Sequence, residues 1–293
     1  MISVVIPALN EAERIRGCLS SLGAQSTDLE VFVSDNFSED ETASVARGAD
    51  QKFEICVRSL NVRLDGAAHF VSAARWALAE SRSEYFAFLA ADDEWEPGFG
   101  EAIISVLEAS RVDVAFPTFV WRGGASERVL SPPSFTHERA ATRQRAALLL
   151  PDWRELANLV YGVYRRGAFE YLVDSLERGD NLFATDFAAA WQVLSRHRVV
   201  ACSGAEGVRR VRAGADLLER VGLHGAEGAG IYQAVSTYVR LTLRVNRGIA
   251  RAIRQVSVAR HPSTTKVLIL RLPQAVWGIS RQLRRTKTRA RSI

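Results

Sequence analysis

Short apolar runs alternate with amphipathic segments over the first 120 residues of the chain. Apolar and β-branched runs predict strands at residues 3–7, 29–34, 53–57, 85–89 and 112–120. Apolar residues at helical spacing predict helices over residues 10–22, 69–81 and 99–110, and a further helix that begins within 38–42. Strands that alternate with helices in this way predict an α/β fold, doubly wound around a mostly parallel central sheet.

The second half of the chain is less regular. It predicts helices at 153–164 and 183–194 and a short strand at 199–202, followed by a glycine-rich stretch at 225–230. Residues 232–256 and 264–289 have the pattern of basic amphipathic helices, the second interrupted by Pro273. We therefore expect a main domain at 1–225, with halves 1–120 and 121–225, and a helical basic C-terminal extension at 226–293.

The composition of the chain predicts a cellular location and shows an uneven distribution of charge. The 293 residues are 47% hydrophobic and 24% charged, which is ordinary for a globular protein. No signal peptide, spanning apolar stretch, cysteine pair with metal spacing or disulfide framework is apparent, which predicts a cytoplasmic protein.

The net charge of +5 is concentrated in residues 240–293, which contain no Asp or Glu. Two interpretations stay open: the extension binds the anionic inner face of a membrane, or it packs on the domain. Nucleic acid is disfavoured because no recognition motif accompanies the charge.

Several common catalytic motifs are absent from the sequence. It has no phosphate-binding loop with Gly-Lys, no Gly-x-Gly-x-x-Gly after the first strand and no Gly-x-Ser-x-Gly elbow. A nicotinamide-dependent dehydrogenase is therefore disfavoured even though its fold class would match. The five histidines form no ligand pair.

The remaining candidate chemistry is a set of carboxylates at predicted strand ends. Glu11, Asp35 and the pair Asp92–Asp93 each follow a strand, and such ends converge on one edge of a parallel sheet. Asp35, next to Asn36, could accept hydrogen bonds from a base N–H and a ribose hydroxyl. Asp92 or Asp93 could hold a divalent cation that bridges two phosphates. The plainer alternatives are a turn residue for Asp35 and a helix start for the aspartate pair.

One acid stands out in the second half. Asp186 is the single acid in an otherwise apolar helical stretch, where burial would raise its pKa and suit a general base. The alternative is an ordinary N-terminal helix cap.

Four segments, taken together in this order and spacing, resemble the family 2 glycosyltransferases. Residues 3–11 (SVVIPALNE) look like the family's opening, and residues 31–42 (VFVSDNFSEDET) are similar to its Val-Asp-Asp-Gly-Ser-x-Asp-x-Thr segment. Residues 73–76 (AARW) and 85–93 (YFAFLAADD) fall where the family has Ala-Arg-Asn and a strand that ends in Leu-Asp-x-Asp-Asp. The resemblance is good over about residues 2–120 and weak to about 215.

The resemblance implies a GT-A fold, a UDP-, GDP- or dTDP-sugar donor, Mg²⁺ or Mn²⁺, and inversion at the anomeric carbon. It also implies a saccharide or lipid-linked acceptor, as in the synthesis of cell-surface polysaccharides or glycoconjugates. Asp186 would be the base, and Asp92 the metal ligand with Asp93 beside it. The donor would be bound by Pro7, Ala8, Leu9, Asn10, Glu11, Asp35, Asn36, Ala91 and Arg210.

Four departures from the family pattern keep other functions open. Ala90 replaces the first acid of Asp-x-Asp, Trp76 the usual Asn, Phe37 the usual Gly, and Arg212 a histidine that could hold metal. A degenerate relative that binds a nucleotide or a partner without turnover is therefore one alternative. A nucleotidyltransferase is another, disfavoured because no glycine-rich loop with Lys or Arg follows the first strand.

Overall fold

The structure is a computed structural model that describes residues 1–49, 52–122, 128–131, 133–150, 153–179, 184–210 and 247–255. Its strands are β1 (Ile2–Ala8), β2 (Leu29–Asp35), β3 (Glu54–Ser59), β4 (Tyr85–Phe88), β5 (Glu94–Trp95), β6 (Val114–Arg122), β7 (Arg128–Leu130), β8 (Val163–Arg165) and β9 (Val199–Arg210). Its helices are α1 (Ile15–Gly23), α2 (Thr42–Arg47), α3 (Gly66–Glu80), α4 (Phe99–Ser110), α5 (Ala140–Leu148), α6 (Trp153–Ala157), α7 (Arg166–Gly179) and α8 (Thr185–Val193). Residues 247–255 form a further helix, which we call the tail helix.

Within these residues the strands form one sheet in the order β3-β2-β1-β4-β8-β6-β9-β5, with β7 on β6. The β3-β2-β1-β4 half is entirely parallel, and β6 and β9 also pair in parallel. Antiparallel pairing through β8 joins the two halves. The carboxyl ends of β1, β2 and β4 therefore lie at one edge, as the sequence predicts.

Helices cover both faces of the sheet, because successive strand residues point to opposite faces. Val5, Phe32 and Phe86 pack on one side with α3, α7, α8 and the tail helix. Val4 and Val31, one position away, pack on the other side with α1 and α4. Each face has its own buried cluster, which confirms the predicted doubly wound α/β architecture.

The structure corrects three boundaries. α1 begins at Ile15, because Asn10 has a left-handed φ of 55° and the Glu11 carbonyl first accepts a turn hydrogen bond from the Arg14 amide. The segment 153–164, predicted as one helix, instead forms α6, which ends at Ala157, then a 3-10 helix (Asn158–Tyr161) and the start of strand β8. The short strand predicted at 199–202 extends to Arg210 as β9.

The tail helix is the one part of the C-terminal extension within the described residues. Its Ile249, Ala250, Ala252 and Ile253 are buried in the cluster that contains α3 and α7. The predicted helix at 264–289, the rest of that at 232–256 and the boundary at 225/226 lie outside the described residues, so they stay predictions. No described helix has the length and apolar character needed to cross a membrane.

Candidate active site

Backbone pairing brings the predicted donor-side residues together at the carboxyl edge. Ala8 lies opposite Asp35 in the β1–β2 register, and the Asn36 amide donates to the Ala8 carbonyl at 2.9 Å. The Leu89 amide donates to the Val5 carbonyl at 3.0 Å, which carries β4 alongside β1 toward Ala90. The segments 7–11, 35–36 and 90–93 therefore meet at one end of the parallel strands. Pro7 and Ala91 are buried within them and Leu9 is half-buried.

The loop after β1 is held by the loop after β2. Asn10 donates its amide to the Ser38 hydroxyl at 2.9 Å, and its side-chain oxygen accepts from the Glu39 amide at 2.9 Å. The Glu11 amide donates to Thr42 at 2.7 Å, and the buried Glu11 carboxylate pairs with Arg14 at 2.7 Å. Both predicted donor residues thus have a clear role in fixing the shape of this edge.

Asp35 and Asn36 lie at the centre of that edge. Asp35 is 4% exposed, and its Oδ1 accepts a hydrogen bond from the Ser38 hydroxyl. The Asn36 amide group donates to the Leu64 carbonyl at 2.9 Å and accepts from the Leu64 amide at 2.8 Å. Asn36 therefore ties the loop after β3 to the loop after β2, next to Asp35.

The aspartate pair lies in a tight turn after β4. The Asp93 amide donates to the Ala90 carbonyl at 3.0 Å. Asp93 is buried, at 3% exposed, whereas Asp92 is half-buried. Asp93 Oδ2 lies 3.1 Å from Arg209 Nε. Its burial is therefore accompanied by an ion pair, as a buried carboxylate requires.

Arg209 is a site residue that the sequence does not single out. Its guanidinium lies 4.2 Å from the Tyr161 ring centroid, and its Nη1 donates to Asn158 Oδ1 at 2.6 Å. The rings of Phe119 and Trp121 are each 5.8 Å away. Burial alone would lower the pKa of Arg209, but Tyr161 and Asp93 raise it overall. This side chain is held as a cation at the centre of the site.

The predicted donor residue Arg210 is the last residue of β9, opposite Arg122 in the register. Its side chain lies outside the described residues. The sequence predicts this strand only to residue 202, so its pattern does not distinguish Arg209 from the neighbouring arginines.

Asp186 lies in the first turn of α8. The preceding Ala184 has φ 64°, and the Phe187 amide donates to Asp186 Oδ1 at 2.7 Å. Burial raises the pKa of the Asp186 carboxyl, against the opposing effects of the Phe187 amide and Arg209. Its chemistry is thus that of a carboxylate that accepts a proton more readily than an exposed aspartate does.

An open pocket of about 330 Å³ adjoins Asp186. Apolar and small residues dominate its wall, together with Tyr161, whose ring also covers Arg209. The lining residues are Gly66, Ala67, Phe70, Val160, Tyr161, Leu176, Ala184, Thr185 and Asp186. Tyr161 thus both lines the pocket and contacts Arg209, which places the Asp93–Arg209 pair next to the pocket.

The carboxylates fit a cation only in part. In the described residues, no group of three or more His, Cys, Asp or Glu side chains is arranged to hold a metal ion. Ala90 supplies no ligand, and Asp93 already pairs with Arg209. Asp92, with Asp93 beside it, thus fits a cation that takes most of its ligands from phosphate oxygens and water, which is the common mode for Mg²⁺.

Solved structures of similar shape define the fold class. S. aureus TarS (residues 1–349) matches with a TM-score of 0.59 at 17% identity, covering 93% of this chain and 71% of that chain. The mannosyltransferase PcManGT of Pyrobaculum calidifontis, solved with GDP-Man and Mn²⁺, matches with a TM-score of 0.55 at 16% identity, covering 99% and 80%. The fold is the GT-A fold of glycosyltransferases.

Sequence comparison then gives the family. The family model described as glycosyl transferase family 2 matches residues 3–173. Glycosyltransferase AglE of Haloferax volcanii is 31% identical over 117 residues, which are 39% of this chain and 37% of AglE. The uncharacterized glycosyltransferase YibD of Escherichia coli is 27% identical over 199 residues, 64% of this chain and 56% of YibD. The chain belongs to glycosyl transferase family 2, and its matches span only about a third to a half of these curated relatives.

Proposed function

We propose that this protein transfers a sugar from a nucleoside diphosphate to a saccharide or lipid-linked acceptor, with inversion at the anomeric carbon. The observation that carries the proposal is the juxtaposition of Asp93, Arg209 and Tyr161 with Asp186 and its pocket. Two carboxylates in different surroundings, one ion-paired and one with a raised pKa, suit two different roles in a transfer reaction.

The donor half of the proposal rests on the carboxyl edge of β1, β2 and β4. Such an edge is where open α/β sheets bind nucleotides. The buried Asp35 would accept from the base, and segments 7–11 and 90–93 would border the sugar and phosphates. TarS has been solved with UDP and with UDP-GlcNAc, and PcManGT with GDP-Man, which supports a nucleotide-sugar donor.

Asp92, with Asp93 beside it, would hold Mn²⁺ or Mg²⁺ against the diphosphate. The bound cation would neutralise charge that develops on the leaving diphosphate. Arg209 keeps Asp93 in place through the 3.1 Å ion pair and adds a fixed positive charge nearby. The Mn²⁺ in the PcManGT structure supports the choice of a divalent cation.

Asp186 would act as the base. Its carboxylate would take the proton of the acceptor hydroxyl while that oxygen forms a bond to the anomeric carbon. The bond from that carbon to the phosphate oxygen breaks on the opposite face, and the nucleoside diphosphate leaves with the electron pair. The raised pKa of Asp186 favours the proton transfer.

The proposal includes a cellular location, the inner face of a membrane. The exposed Arg247, Arg251 and Arg254 of the tail helix, with the acid-free segment 240–293, suit peripheral binding to the anionic inner face of a membrane. A glycosyltransferase located there would act in the synthesis of cell-surface polysaccharides or glycoconjugates.

Ala90 favours one second candidate, a nucleotide- or partner-binding protein without turnover. A carboxylate lost from the donor site would weaken donor binding by ~1.5–3 kcal/mol, roughly ten- to a hundredfold. The apposition of Asp93, Arg209 and Asp186 favours the enzyme instead, because binding alone does not require a base in the adjoining pocket.

An assay with a panel of nucleotide-sugar donors distinguishes the enzyme from the non-catalytic binding protein. UDP-, GDP- and dTDP-sugars are incubated with the protein, with Mn²⁺ or with EDTA, and release of nucleoside diphosphate is measured. If the protein is an enzyme, at least one donor should release nucleoside diphosphate, and EDTA should abolish that release. The rate of release should fall roughly 100-fold or more in Asp92→Asn and in Asp186→Asn. Glu177→Gln, an exposed acid on α7, serves as the matched control. Metal-insensitive binding of a nucleotide, with no release from any donor, would establish the non-catalytic alternative.

A further inference from the structure

Phe37 is an exposed aromatic residue in an unfavourable backbone conformation. It follows β2 by two residues, is 53% exposed and has φ 60°. That left-handed region is readily adopted by glycine and is strained for a bulky side chain. Neither burial nor backbone preference therefore accounts for a phenylalanine here.

Contacts on both sides hold the backbone of Phe37 in place. Asn36 is fixed by the 2.9 Å bond from its amide to the Ala8 carbonyl and by its side-chain bonds to Leu64. Ser38 is fixed by its hydrogen bond to Asp35 and by the 2.9 Å bond from the Asn10 amide. The strained conformation is thus imposed by neighbours at the carboxyl edge. Strain of this kind commonly lies at ligand sites.

A second exposed apolar residue lies on the neighbouring loop. Val62 is 64% exposed and follows β3, in the loop that Leu64 ties to Asn36. Phe37 and Val62 therefore project from two joined loops, on the rim of the edge that contains Asp35. An apolar rim beside a buried carboxylate fits a flat, partly apolar ligand with an N–H on its edge.

We propose that Phe37 is a donor-binding residue whose ring packs against the nucleobase held by Asp35. This inference rests on the proposed function, because it takes the donor to be a nucleoside diphosphate sugar. Every base has a π-face, so the contact would add affinity for uracil, guanine and thymine alike and would not select between them. The backbone strain at residue 37 would then be the cost of placing a ring at this rim.

Replacement of Phe37 tests the proposal by calorimetric titration with UDP, with GDP and with dTDP. Phe37→Gly should raise the Kd of whichever nucleotide the protein binds roughly tenfold, Phe37→Leu should raise it less, and Phe37→Trp should keep it near the wild-type value. The melting temperature of Phe37→Gly should stay level or rise by about 1–3 °C, because glycine relieves the strain. Weaker binding by a protein of equal or greater stability cannot come from a folding defect.

Arg111→Gly is the matched control. Arg111 is also exposed, has φ 49° and ends α4 at the opposite edge of the sheet. Its replacement should leave nucleotide affinity unchanged. An unchanged Kd in Phe37→Gly, or a rise that is matched in Arg111→Gly, would overturn the proposal. A wild-type protein that binds none of the three nucleotides would overturn the proposed function as well, whereas binding without transfer would leave the role of Phe37 standing.

Discussion

At the scale of single residues, Arg209 connects the two halves of the site. Its guanidinium pairs with Asp93, packs on Tyr161 and lowers the pKa of Asp186 against the larger effect of burial. Asp93 therefore has a fixed cationic partner, whereas Asp186 faces a largely apolar pocket. Differences of this kind in the surroundings of two acids suit them to the different chemical roles that we propose.

Asp186 should stabilise the protein less when it is ionised. Because its folded-state pKa is raised, the charged form carries a cost that appears as pH rises above its ordinary value of 3.8 and is complete above the raised value. Asp186→Asn, which retains an oxygen for the Phe187 amide, should therefore raise the urea midpoint at pH 8 and change it little at pH 4. Turnover should fall roughly 100-fold or more.

Urea unfolding of wild type, Asp186→Asn and Asp174→Asn at several pH values checks this expectation. Asp174 is a half-exposed acid on α7 that pairs with Arg75, and its variant should show no such gain at pH 8. A lower urea midpoint for Asp186→Asn at pH 8 would show that the ionised carboxylate stabilises the fold. The raised pKa that supports Asp186 as the base would then be contradicted.

Individual site residues differ in how far the sequence reveals them. Asp35 ends β2, Asp93 closely follows β4, and Asp186 is the single acid of an otherwise apolar helical stretch, so pattern alone singles them out. Arg209 lies in a segment with several arginines and no clear periodicity, and its partners Asn158 and Tyr161 come from a distant 3-10 helix. Phe37 is visible as a departure from the family pattern, but its positive φ follows from hydrogen bonds between loops.

At the scale of elements, β9 is the strand that completes the site. Gly207 on β9 lies against the Phe119 ring of β6, and a Cβ added at Gly207 would be 2.7 Å from Phe119 Cε1. The same ring lies 5.8 Å from the Arg209 guanidinium. Close approach of the two strands at this point therefore helps to position Arg209.

Gly207→Ala should displace Phe119 and disturb Arg209. We expect a loss of about 1–3 kcal/mol in the free energy of unfolding from overpacking, together with weaker nucleotide binding. Gly204→Ala, on the same strand, would bring its Cβ only to 3.5 Å from Ala102 and should be nearly neutral. Equal stability of the two variants in urea unfolding would contradict the close approach of β9 to Phe119.

The elements that the sequence predicts well are those with a repeated local pattern. β1, β2, β3 and β4 are apolar runs, and α3 and α4 keep helical spacing over several turns. β8 has three residues and is defined by its pairing with β4 and β6, which no local pattern encodes. The extension of β9 beyond Cys202 contains Gly and polar residues, and its pairing with β6 resumes only after a register shift at Pro117/Thr118.

At the scale of the whole molecule, the tail helix belongs to the main domain's core. Ile249 and Ile253 are fully buried in the same cluster as Phe169 and Phe187. Arg247, Arg251 and Arg254 lie on the exposed side of this helix. The two interpretations of the extension, packing on the domain and binding to a membrane, therefore apply to opposite faces of one helix and can both hold.

The two faces can be tested separately. Ile253→Ala should reduce the free energy of unfolding by about 2–5 kcal/mol because it leaves a cavity in the core. The triple variant Arg247→Glu, Arg251→Glu, Arg254→Glu should keep most of the stability, since these side chains are exposed. Its binding to anionic vesicles should weaken roughly a hundredfold or more, because each of the three arginines near such a surface contributes about 1 kcal/mol. Unchanged vesicle binding by a stable triple variant would show that the tail helix does not bind the membrane. Unchanged stability of Ile253→Ala would contradict the burial of Ile253 in the core.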